Sequence, residues 1–188
     1  MSKLEKDRRI RKTKSLIRNS LIQLLKEKKL KDITVRELTE MADINRGTFY
    51  LHYQDLHDLF EQTENEIMDD LIEIRNKYYK EQSHMLPVLL DISTFIKANS
   101  EILEALLRSN ESRFLNQMIE LCRPQDKMEW YNLFASGKEE HFEYYYSFIS
   151  SGFIALFLRW LEEGMQESPE HIAGLANQLI TNCTKNLS

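Results

Sequence analysis

Ten residues, INRGTFYLHY (Ile44–Tyr53), combine an apolar pair with an assortment of polar side chains that a passive surface would not need. Phe49 and Tyr53 lie four apart, the spacing of a buried helix face. Around them stand Arg46, Gly47, Thr48, Tyr50 and His52. An arginine offers a planar fork that pairs bidentately with guanine O6 and N7. A threonine or tyrosine can bond phosphates through its hydroxyl or touch thymine methyls with its apolar part, and a histidine bonds a phosphate. Glycine weakens a helix interior by about 1 kcal/mol relative to alanine, a cost that makes sense where the backbone must come close to something bulky. These types at this spacing suit base edges and the phosphates that flank them.

The flanking residues read as the frame for such a helix. Ile10, Ile17, Leu21, Leu24 and Leu25 recur at helical spacing from Arg8 to Lys28, with basic residues between them. Thr34-Val35-Arg36-Glu37 is a capping box that starts a second, short helix with Val35, Leu38 and Ala42 inward. Asp43 suits a left-handed turn, Asn45 caps the third helix, and Asp55 caps a fourth that carries Leu59, Phe60, Ile67, Leu71 and Ile74 towards Tyr79. Two short helices across a turn of about three residues, braced by longer ones, make a helix-turn-helix.

Composition supports this reading. With 188 residues, 5 glycines and 3 prolines, the chain favours helix over hairpins. The net charge of −5 hides a division. Residues 1–55 hold 14 Lys and Arg against 8 Asp and Glu, while residues 56–188 hold 11 against 22. A basic first third on an acidic body fits a nucleic-acid reader that releases counterions on binding. Cys122 and Cys183 form no metal or disulfide pattern. No segment resembles a signal peptide or reaches the roughly 18–20 apolar residues of a membrane span, so a soluble, cytoplasmic protein without a membrane partner is expected. Scattered glycines supply no phosphate loop and no serine sits in a nucleophile elbow, which argues against an enzyme and against a cofactor. In EEHFE (Glu139–Glu143) the side chains of Glu140, His141 and Glu143 diverge on a helix, and no metal site is expected.

Beyond residue 60 the pattern stays helical. From His141 to Gly164 apolar residues occupy nearly the whole circumference, with Ser150, Ser151, Gly152 and Ala155 small. A helix apolar all round is buried on more than one side. Ser168-Pro169 then starts a terminal helix with the stripe Ile172, Leu175, Ala176, Leu179 and Ile180. Both helices are expected in a bundle shared between two subunits, with Phe142, Ile149, Gly152, Leu156, Leu175 and Leu179 at a homodimer interface. Phe114, Met118, Trp130, Phe134, Tyr145, Phe148 and Trp160 are candidate lining for a small-molecule pocket, although such side chains most often simply form core.

The stretch Ile33–Phe60, ITVRELTEMADINRGTFYLHYQDLHDLF, resembles the signature of the tetracycline-repressor (TetR) family of bacterial transcription regulators. Ile33-Thr34-Val35, Ala42, Ile44, Arg46 to Tyr50, His52-Tyr53, Asp55 and Leu59 fall where that pattern expects them. The segment YYYSFISSGFIALFLRWLEEGMQESPEHIA is similar to the dimerising segment of one branch of the family. Two residues depart: Asp43 replaces the usual turn glycine, and Leu56 stands where many members carry a lysine aimed at a DNA phosphate.

The resemblance implies an all-α fold. A homeodomain-like three-helix DNA-binding domain over residues 1–60 would be followed by a helical regulatory and dimerisation domain over 61–188. It also implies DNA contacts from Thr34, Arg36, Asn45, Arg46, Gly47, Thr48, Tyr50, His52 and Tyr53. The expected function is that of a homodimeric repressor on a palindromic operator, responsive to a small-molecule effector. The alternative is a co-regulator or activator subunit whose inducer is sensed by a partner protein.

Overall fold

The computed structural model describes residues 3–81, 85–109, 112–123 and 142–184, and at 3–6, 79–81, 142 and 184 the backbone only. Every regular element among the described residues is helical. They are α1 (Lys3–Glu27), a 3₁₀ turn (Leu30–Asp32), α2 (Val35–Met41), α3 (Arg46–Tyr50), α4 (Leu56–Glu81), α5 (Met85–Ala98), α6 (Ser100–Arg108), α7 (Phe114–Leu121), α8 (Phe142–Glu162) and α9 (Pro169–Thr184). The chain forms two compact units, Met1–Ile67 with Glu101–Ser112, and Met68–Ser100 with Arg113–Ser188.

In the first unit most apolar positions picked out by helical spacing are buried: Ile17, Leu21 and Leu24 of α1, Leu38 of α2, Phe49 of α3, and Leu59 and Phe60 of α4, while Ile10, Leu25 and Val35 are half-buried. Leu103 and Leu106 of α6, which spacing did not single out, are buried as well. At roughly 25 cal/mol per Å² of apolar area removed from water, full burial of each such side chain stabilises by about 1.5–3 kcal/mol. Glu64 is buried as well and accepts a hydrogen bond from the Ser112 hydroxyl at 2.6 Å. That bond satisfies a group whose burial would otherwise be costly. At the other edge Glu101 of α6 accepts from the Gln23 side-chain amide (3.4 Å) and pairs with Lys26 (3.4 Å), both on α1.

The second unit is built on α5 and α9, where Leu89, Ala173 and Ala176 make a small core flanked by Met85, Leu90, Phe153, Leu156 and Ile180. The alanines permit close approach of the two helices. Tyr78 donates to Asp91 at 2.6 Å, and the Lys77 ammonium reaches the same oxygen at 3.0 Å, tying the end of α4 to α5. Helix α7 meets α8 through the Tyr146 hydroxyl, which donates to the Ile119 carbonyl. Arg123 bonds Glu143 (3.1 Å) and stacks on the Tyr146 ring. Helix α8 ends in a Schellman motif: the Met165 amide donates to the Trp160 carbonyl and the Gly164 amide to that of Leu161, with φ of 75° at Gly164 and 52° at Met165. Ser168 then caps α9 by accepting from the His171 amide, with Pro169 at the first helical position.

Candidate nucleic-acid interface

The α2 N-terminus forms the capping box in full. The Glu37 amide donates to the Thr34 hydroxyl oxygen (3.2 Å), and Glu37 accepts in return from the Thr34 amide (3.0 Å) and hydroxyl (2.9 Å). Lys28 adds an ion pair to Glu37 at 2.7 Å. The Lys28 bond and then those from Thr34 pull the Glu37 carboxyl down from its ordinary 4.5 to about 2. The expectation for Thr34 is thereby sharpened. Its hydroxyl and amide are already engaged by Glu37 in the free protein, so a phosphate at this end would meet the remaining first-turn amides.

The turn that follows is a second Schellman motif. The Ile44 amide donates to the Thr39 carbonyl (3.0 Å) and the Asp43 amide to that of Glu40 (3.3 Å), with Asp43 left-handed at φ 50°. Asp is among the few residues other than glycine that enter this region readily, which explains how the turn forms without the glycine usual there. Ala42 is buried at the crossing. Asn45 then caps α3, its side-chain oxygen accepting from the Gly47 amide at 2.8 Å. Helix α4 opens with a reciprocal pair: the Asp58 amide donates to Asp55 (2.9 Å) and the Gln54 amide to Asp58 (2.7 Å). Leu56 turns into the core, leaving Asp55 and His57 as the exposed side chains at this entry.

Between these caps α3 is divided cleanly. Phe49 is fully buried, and the rings of Tyr50 (5.3 Å, edge-on) and Tyr53 (5.7 Å) pack against it. Arg46, Gly47, Tyr50 and Leu51 lie outward, Tyr50 at 58% and Leu51 at 80% exposure, with Thr48 and His52 half-buried. Tyr53 belongs to the core. Burial pushes its phenol up to about 12, and the Lys14 ammonium lies over its ring at 5.6 Å. Any part it plays at a DNA surface is therefore chiefly to seat His52 and Phe49. A Cβ built at Gly47 would meet a single neighbour, the capping oxygen Asn45 Oδ1, at 3.4 Å. The unbound fold does not require glycine at this position. Arg36 points out from α2 with its Nε donating to Glu40 at 2.8 Å. Leu51 is a surface residue that motif reasoning left out of the candidate set, and its exposure identifies it.

The C-terminal candidates are less uniform. Phe114 and Met118 are buried one turn apart on α7. Trp160 is buried with its indole N–H donating to the Glu167 carbonyl (3.3 Å), Tyr145 is half-buried and Phe148 is 69% exposed. Trp130 and Phe134 lie outside the described residues, as does the Phe142 side chain. Of the expected interface residues, Gly152, Leu175 and Leu179 are exposed, Ile149 is half-buried, and Leu156 packs on the α5–α9 core. Tyr144 and Phe148 add exposed aromatics on α8. Among the described residues no group of acidic, histidine or cysteine side chains could hold a metal ion, and no helix is long and apolar enough to cross a membrane.

A helix-turn-helix held by three local caps, on a chain whose regular elements among the described residues are all helices, has the architecture of a helical DNA-binding regulator. The transcriptional regulator C-terminal region of the TetR type matches residues 83–182, more than half of the chain. The chain belongs to the TetR family of transcriptional regulators. An uncharacterised helix-turn-helix regulator of Bacillus subtilis (strain 168), YxbF, is 31% identical over 55 residues, which is 29% of this chain and 14% of that relative's length. A TetR regulator from Streptococcus agalactiae 2603V superimposes with a TM-score of 0.66 at 23% identity, covering 95% of this chain and 99% of that one. The dihydroxyacetone kinase operon activator DhaS gives 0.65 at 18% identity over 92% and 96% of the two chains. NalD of Pseudomonas aeruginosa, the secondary repressor of the MexAB-OprM multidrug efflux pump, gives 0.63 at 18% over 94% and 98%. At these identities the structures attest the fold.

Proposed function

We propose that this regulator reads a palindromic operator as a homodimer and represses transcription until a small-molecule effector binds. In this reading residues 1–60 bind DNA and 61–188 dimerise and sense. Gly47 carries the proposal: a helix-weakening residue, exposed, at which an added Cβ would meet only Asn45 Oδ1 at 3.4 Å, serves a partner outside the chain. A duplex approaching α3 meets Arg46, Thr48, Tyr50 and Leu51 together, with Arg46 aimed at guanine, the hydroxyls at phosphates and the apolar carbons at thymine methyls. Arg36 joins them from α2, and His52 from the edge. Thr34 and Asn45 hold the helix ends that present them. Dimerisation is assigned to α8 and α9, where Phe148, Gly152, Leu175 and Leu179 lie exposed. An effector site is assigned around Phe114, Met118 and Tyr145.

The second reading, an activator or co-regulator whose inducer is sensed by a partner, is favoured by the likeness to DhaS, a named operon activator that fits as well as the repressor NalD. The test is an anisotropy titration of the pure protein with the duplex upstream of its own gene and with random duplex, across a range of salt. A protein neutralising about 6–10 phosphates loses roughly 10³ to 10⁵ in affinity between about 50 and about 200 mM salt. Specific binding with a steep salt slope is expected. A flat response, or equal binding to both duplexes, rejects DNA reading.

A further inference from the structure

The two arginines assigned to the DNA face are held differently. Arg46 has no ion pair with any described residue, whereas Arg36 donates its Nε to Glu40 Oε1 at 2.8 Å. Both members of this pair lie exposed on the outer face of α2, one turn apart. An acceptor on Nε occupies the side edge of the guanidinium and leaves its far edge, the two Nη groups, without a bond to any described residue. That far edge is the one that matches guanine O6 and N7 end-on. We propose that Glu40 is a positioning residue for base readout: it clamps the Arg36 guanidinium so that its free Nη edge meets a guanine, and its own charge discourages Arg36 from settling on a phosphate. This rests on the proposed DNA reading and adds to it a residue that touches no base itself.

The two effects of Glu40 act in opposite senses on two kinds of DNA. On a specific site, loss of the clamp frees the arginine to sample other rotamers, and the entropy of fixing it must be met on binding. On random DNA, loss of one negative charge beside the backbone removes a repulsion, so affinity holds or rises. An ordinary surface ion pair of the helix would alter both kinds of binding alike, or neither.

The experiment uses the full chain and a duplex selected from a randomised pool by the wild-type protein, with a scrambled duplex as control. Glu40→Ala is expected to lower the specific-to-scrambled affinity ratio roughly tenfold, with scrambled binding unchanged or tighter. Preference should relax at one base pair per half-site. Glu40→Gln keeps the acceptor without the charge, and is expected to recover most of that base preference while still binding scrambled DNA more tightly. In an Arg36→Ala background, Glu40→Ala should leave the base preference where Arg36→Ala alone puts it, because the two act as one unit. Equal changes on both duplexes, or a ratio unchanged by Glu40→Ala while the wild type still discriminates, would overturn the clamp and leave the DNA reading standing. A wild type that selects no sequence from the pool overturns both.

Discussion

The outer face of α3 and the outer faces of α8 and α9 both display side chains that the chain's own cores leave uncovered, and they are opposite in kind. On α3 the uncovered set is polar and mixed around a buried Phe49, and side-chain caps at Thr34 on α2, Asn45 on α3 and Asp55 on α4 hold the helix starts of the motif. On α8 and α9 it is apolar: Tyr144, Phe148, Leu175 and Leu179, with Gly152 and Gly174 open to at least 4 Å around their missing Cβ positions. In the proposed reading the first surface meets a charged, hydrated partner and the second a dry one. Electrostatic and hydrogen-bonded readout needs a rigid frame, whereas an apolar face needs area and close approach.

The comparison breaks most sharply at the apolar face. Leu175→Glu with Leu179→Glu would place two carboxylates in a dry seam, at a cost of several kcal/mol if they remain buried between subunits. Sedimentation at micromolar concentration should show the wild type as a dimer and the double variant as a monomer with normal helix content, and the variant should lose tight operator binding. A variant that stays dimeric would move the interface elsewhere.

On the polar face the expected effect is smaller and more selective. Arg46→Ala should weaken operator binding by about 1–3 kcal/mol and relax preference at one base per half-site. Competition against a panel of single-base operator variants reads this directly. Equal losses on specific and random DNA would reassign Arg46 to a phosphate.

The smallest effect concerns the frame. Glu37, held near 2 by Lys28 and Thr34, is ionised more readily folded than unfolded. A depressed carboxyl contributes stability that is complete above its unfolded value near 4.5 and is lost as pH falls towards 2. Glu37→Gln should therefore flatten part of the fall in melting temperature between those two pH values, with a modest stability loss at neutral pH. An unchanged acid limb would mean that the capping box contributes little to stability.

What the sequence disclosed follows the same division. The caps at Thr34, Asn45, Asp55 and Ser168, and the left-handed Asp43, were legible because each depends on residues within a few positions. The division of α3 into an inner and an outer face followed from spacing alone. The stripe on α9 was legible as apolar but not as divided: Ile172 and Ala176 turn to the chain's own core while Leu175 and Leu179 do not. Leu156 likewise serves the α5–α9 core. Periodicity finds a face and cannot say which neighbour covers it. The bond from Ser112 to the buried Glu64, 48 positions away, leaves no local trace, nor does the inclusion of Glu101–Ser112 in the first unit. Helix α1 also begins at Lys3, ahead of the apolar repeat at Ile10, since lysine, arginine and glutamate favour helix without marking a face.

The single neighbour at the missing Cβ of Gly47 leaves that position open to two opposed demands. Alanine would fit the unbound fold without a clash and stiffen α3, a gain of about 1 kcal/mol in a helix interior. Directed evolution scored on heat resistance alone would therefore adopt it early. In the proposed reading the added methyl would stand on the face a duplex approaches, and the cost would emerge in operator binding rather than in melting temperature. Gly47 marks where robustness of the fold and fidelity of the regulator part company.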